Sequence, residues 1–60
     1  MKLKQFRLER KLTIGQMAML VGISRSMYEK IEREERKPSI ETLKKFKEAF
    51  KDLDVNIFLT

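Results

Sequence analysis

The stretch TIGQMAMLVGISRSMYEKIE, residues 13–32, reads as two short helices joined by a tight turn that pivots on Gly22. Thr13 is placed to N-cap the first of them, and Gln16 three residues on completes a capping box. Leu12 and Met17 stand where a hydrophobic staple puts them. Gly22 follows the last periodic residue, Val21, as a helix C-terminal glycine in the left-handed region does. Ser24 N-caps the next helix, with Ile23 and Tyr28 as its staple. That helix carries Arg25, Ser26, Glu29 and Lys30 on one side, with Met27, Tyr28 and Ile31 largely on the other.

Helical periodicity continues on both sides of this stretch, and no run alternates at period two long enough to define a firm strand. A helix is predicted over about Lys2 to Lys11, with Leu3, Phe6, Arg7 and Arg10 on one face. Two arginines on a core-facing stripe need partners. Leu8, nearly opposite, reads as a singly exposed leucine; a contact with the C-terminal tail or with a partner is the alternative. The second helix spans about Ile14 to Val21 and buries Met17, Ala18 and Val21, with Gly15 in its first turn. The third runs from Arg25 to about Arg33.

A charged connector follows. Pro38 disfavours helix at Lys37, and Ser39 N-caps a fourth helix over about Ile40 to Lys51. The apolar stripe of that helix is Ile40, Leu43, Phe46 and Phe50. Lys47 falls inside it, its alkyl stem covering apolar surface while the ammonium reaches water. The tail holds Leu53, Val55, Ile57, Phe58 and Leu59. It forms either a last helical turn capped by Asp54 or a short strand. It closes the bottom of the core, serves as a dimer interface, or does both.

Composition narrows the function classes. Sixty residues make one domain near the lower limit for folding without staples. The chain has no cysteine for a disulfide and no histidine, the commonest general base and metal ligand. The remaining titratable groups lie on solvated faces with no convergent pocket chemistry, so an enzyme is not expected, and no cofactor or metal is implied. Net charge is +5, from 14 basic and 9 acidic residues. A basic domain of this size commonly meets a polyanion; a merely solvated basic surface is the other reading. No apolar run approaches a membrane span, and MKLKQFRLERK lacks the apolar core of a secretory signal. The expected location is the cytoplasm, with no membrane partner.

Helix, tight turn and second helix form the layout of the DNA-binding helix-turn-helix. The ordered set Phe6-Arg7, Leu12-Thr13, Met17-Ala18, Gly22-Ile23-Ser24, Tyr28, Ile31-Glu32, Pro38-Ser39 and Leu43 resembles the phage-repressor family, the Cro/repressor or XRE type. The resemblance covers Leu3 to Leu59. It implies an all-α, lambda-repressor-like domain over residues 1–60: a compact bundle of four to five short helices with the third in the major groove. It also implies a structural ion pair between Arg7 and Glu32, which answers the need of a core-facing arginine. Ala18 is small where the second and third helices pack closely, and Gly22 supplies the positive φ of the turn. The chain departs from the family at Ile14, where a DNA-contacting glutamine often stands, at Glu34, where glycine is usual, and at Lys47, where a small apolar residue is usual. At Glu34 either the helix continues or the residue accepts a left-handed conformation. Glu34 and Glu35 also bring negative charge toward the expected DNA backbone.

The function so implied is a sequence-specific double-stranded DNA-binding transcriptional regulator, a repressor acting as a homodimer. Arg25, Ser26, Glu29 and Lys30 are the base-reading candidates. Arg25 suits guanine O6 and N7; Glu29 either accepts from cytosine N4 or orients Arg25 or Lys30. Ser24, Arg33, Arg36 and Lys37 are the phosphate candidates. Val55, Ile57, Phe58 and Leu59 are the candidate dimer or tail contacts. The competing reading is a protein-interaction module, such as a helix-turn-helix antitoxin, which meets a partner protein through Leu8 and the tail.

Overall fold

The computed structural model describes residues 2–58. Over that range the chain forms α1 (Lys2–Glu9), α2 (Ile14–Val21), α3 (Arg25–Glu32) and α4 (Ile40–Ala49), then a 3-10 helix, Val55–Phe58. No strand occurs among the described residues. The helix starts are written locally. The Thr13 hydroxyl accepts from the Gln16 N–H at 3.1 Å while the Gln16 side-chain oxygen accepts from the Thr13 N–H at 2.9 Å, a complete capping box. Ser24 accepts from the Met27 N–H and Ser39 from the Thr42 N–H, each through its hydroxyl.

Three helices end in one way. Lys11 (φ 57°), Gly22 (φ 85°) and Glu34 (φ 64°) are left-handed, each just past its helix. In each case the next residue's N–H reaches back five positions: Leu12 to the Arg7 carbonyl, Ile23 to Ala18 and Glu35 to Lys30. This is the Schellman closure. The first helix therefore stops at Glu9, short of the expected Lys11, and the left-handed alternative holds at Glu34. The fourth helix stops at Ala49, short of the expected Lys51. Phe50 turns extended there and meets Phe6 edge-on, with ring centroids 5.3 Å apart.

The core is Leu3, Met17, Ala18, Val21, Tyr28, Ile31, Phe46, Leu53 and Phe58. α2 packs against both α3 and α4, and the 3-10 helix closes against α1. Phe46 sits at the centre, its ring 6.2 Å from that of Tyr28 and 5.1 Å from that of Phe58. The tail takes its helical alternative. Asp54 caps it, accepting from the Asn56 N–H with its carboxylate and from the Ile57 N–H with its carbonyl.

The expected stripe of α4 needs correction. Ile40 is 74% exposed, and Thr42 is buried in its place. At about 100° per residue, Ile40 and Lys47 lie together roughly 100–120° around the helix from Phe46, at the edge of the stripe. The buried Thr42 hydroxyl is satisfied by Ser39 at 3.0 Å. The Lys47 ammonium does not simply reach water; it donates to the Leu53 carbonyl at 2.8 Å and ties α4 to the chain that follows it.

Candidate nucleic-acid interface

The third helix, α3, is held from beneath by a charged network. Arg7 of α1 grips Glu32 at the end of α3 with two hydrogen bonds, Nε to Oε2 at 3.0 Å and Nη2 to Oε1 at 3.2 Å. Its Nη1 donates to the Leu12 carbonyl at 2.9 Å, and the Tyr28 hydroxyl donates to Glu32 at 2.6 Å. The two charged side chains are only 10% and 9% exposed, so the expected ion pair is a nearly buried one. One guanidinium thus joins α1, the α1–α2 turn and α3. Burial pushes the Glu32 carboxyl up, but the hydrogen bonds from Arg7 and Tyr28 and the Arg7 charge outweigh it, and the group titrates below its ordinary range. The hydrogen bond to Glu32 raises Arg7. Burial, reinforced by the bond to Glu32, holds the Tyr28 phenol well above its ordinary value.

With Tyr28 and Ile31 buried, the opposite side of α3 faces outward. Arg25, Ser26 and Lys30 are exposed, and Glu29 is half-buried between them. Together with Arg33 they occupy an arc of roughly 140° at about 100° per residue. That is a single polar ridge along the outward side of the helix. Ser24 stands at the head of the ridge, exposed, its hydroxyl engaged as the cap. Arg33, Arg36 and Lys37 are exposed at its foot.

The charges on this ridge are paired. Arg25 Nε donates to Glu29 Oε1 at 3.1 Å, and Arg33 Nη2 lies 3.5 Å from Glu29 Oε2. Of the two basic residues weighed as partners for Glu29, Arg25 is the one that donates to it. The second partner is Arg33, which sequence reasoning had placed only among the phosphate contacts. An i, i+4 spacing joins 29 to 33 as well as 25 to 29, so that signal was there to be read.

The candidate dimer contacts divide. Phe58 is buried in the core, Ile57 is half-buried against it, and Val55 is 40% exposed; Leu59 lies outside the described residues. Leu8 is exposed, as expected of a single surface leucine. The second core-facing arginine, Arg10, stacks on the Phe6 ring, 3.7 Å from its centroid, and pairs with Asp52. Sequence reasoning passed over Met19 and Leu20, adjacent on α2 and exposed by 74% and 53%. The periodicity that buries Met17, Ala18 and Val21 leaves them outside the stripe, and this was the available signal.

Among the described residues no helix is long and apolar enough to cross a membrane. A family model described as helix-turn-helix matches residues 3–57, nearly the whole chain. No curated protein and no solved structure matches it.

Proposed function

The chain belongs to the XRE-type helix-turn-helix family of DNA-binding regulators, and from that premise we propose that it is a sequence-specific repressor that reads the major groove with α3. The observation that carries this reading is the division of α3. Its Tyr28–Ile31 side is spent in the core, and on the opposite ridge Arg25, Ser26 and Lys30 are left to solvent around a half-buried Glu29, on a helix capped at both ends. In this reading Arg25, Ser26 and Lys30 reach base edges, and Glu29 stands between Arg25 and Arg33. Ser24, Arg33, Arg36 and Lys37 meet phosphates, which fix register and supply salt-dependent affinity.

One such unit offers a single helix to the groove, and a homodimer on half-sites about one helical turn apart supplies the rest. The face assigned to that dimer is α4 with the exposed part of the tail. Sedimentation as a strict monomer at high concentration, with independent half-site binding, removes the dimer from the proposal.

Selection of bound sequences from a random duplex library tests the reading. The expected product is a symmetric site with guanine at the position Arg25 reads. Arg25→Ala should then lose about 1–3 kcal/mol of specific binding. Arg36→Ala should weaken all duplexes alike and flatten the salt dependence. Full discrimination between selected and scrambled duplexes by Arg25→Ala refutes the assignment.

A further inference from the structure

We propose that Glu29 is the positioning residue of the reading helix: it aims Arg25 at its base through a two-arginine clamp and reads no base itself. The inference rests on the DNA-reading function proposed above. Each Glu29 carboxylate oxygen faces a different guanidinium, Oε1 taking Arg25 Nε at 3.1 Å and Oε2 lying 3.5 Å from Arg33 Nη2. Arg25 is engaged through Nε alone. Its two terminal amino groups therefore remain as a free fork, the edge that donates side by side to guanine O6 and N7. A long side chain that is 70% exposed is otherwise spread over many rotamers, and the anchor at Nε removes much of that freedom before binding. Glu29 itself is only 27% exposed, flanked by the arginines it holds.

Stability does not account for the arrangement, because exposed i, i+4 ion pairs add little to it. A carboxylate among the basic residues has a second effect. It neutralises part of the charge that attracts any phosphate backbone, so affinity for unrelated sequence is held down while the aimed fork keeps its contact.

The test is duplex selection and salt-controlled binding with the intact chain and with Glu29→Ala, Glu29→Gln, Arg25→Ala and the double variant Arg25→Ala/Glu29→Ala. Folding is checked by denaturant melts, and Glu29→Gln, which keeps the side-chain volume, stands in should Glu29→Ala fold poorly. Glu29→Ala should weaken the guanine preference by about tenfold at the same base pair that Arg25→Ala affects. It should also bind scrambled duplex several-fold more tightly, with a steeper salt dependence. Adding Glu29→Ala to Arg25→Ala should cost no further selectivity. Glu29→Gln should fall between, because its amide oxygen still accepts from Arg25 without the charge. An unchanged preference in a folded Glu29→Ala, or a loss at a base pair that Arg25→Ala leaves intact, overturns the clamp alone. A wild-type chain that selects no sequence at all overturns the DNA-reading proposal and the clamp with it.

Discussion

Replacing Glu32 with alanine strikes the network that holds α3 to α1. The substitution removes both Arg7–Glu32 hydrogen bonds and the acceptor of the Tyr28 hydroxyl. Arg7 keeps only its bond to the Leu12 carbonyl. A buried pair broken from one side costs about 3–5 kcal/mol, most of it the penalty of the charge left behind. The Arg7 side chain retains 10% exposure and can draw in some water, which favours the lower part of that range, about 3–4 kcal/mol. The unpaired Tyr28 hydroxyl works against that relief. The total stability of a 60-residue chain is about 3–9 kcal/mol, so Glu32→Ala should remove from about a third of that stability to all of it. In a thermal melt, about 2.1 cal/mol/K per residue converts the loss into a drop of roughly 25 °C or more. The companion variant Arg7→Met/Tyr28→Phe/Glu32→Leu removes the charges and hydroxyl together and should recover most of the loss. A urea melt in which Glu32→Ala costs less than about 1 kcal/mol refutes the reasoning, since that is the worth of a solvated surface pair.

Other consequences are open to measurement. Because Glu32 titrates below its ordinary value in the fold, its stabilisation is present above about pH 4.3 and is lost as pH falls below that; Glu32→Gln should flatten the acid limb of urea midpoint against pH. Tyr28 is shifted upward, so its contribution is complete below about pH 10 and declines above it, a limb that Tyr28→Phe should remove. Gly15 has room for a methyl group, its nearest neighbour beyond the adjoining chain being Thr13 Oγ1 at 4.0 Å, and Gly15→Ala should gain about 0.5 kcal/mol in a chemical melt. At Gly22 space is equally open but φ is +85°, and Gly22→Ala should instead lose about 1 kcal/mol. Lys11→Gly relieves a left-handed strain of about 1–2 kcal/mol against a glycine entropy cost of about 0.5–1, so it should melt slightly higher than the parent.

What the sequence determined by itself is local. The starts of α2, α3 and α4 were legible because Thr13, Ser24 and Ser39 bond to backbone N–H groups only three residues away. Gly22 was legible because a glycine after an apolar helix marks a positive φ. The outward polar ridge of α3 was legible because a strongly amphipathic turn of helix leaves only one side for the core. The Arg7–Glu32 pair was reached only through the family resemblance, since nothing in 25 residues of intervening chain states that the two ends meet.

Tertiary structure decided the rest, wherever the outcome depended on a neighbour distant in sequence. Glu34 and Lys11 carry side chains that disfavour the left-handed region, yet they adopt it where the chain turns back into the bundle. Phe50 abandons α4 because its ring finds Phe6. Ile40 yields the inward place to a threonine because the stripe of α4 is centred on Phe46, buried against Tyr28 and Phe58. Arg10 settles on an aromatic face and an aspartate 42 residues on. Periodicity fixes which residues share a side of a helix, but not where on that side the contact line falls. That line is set by the shape of the elements packed against it, which only the assembled core supplies.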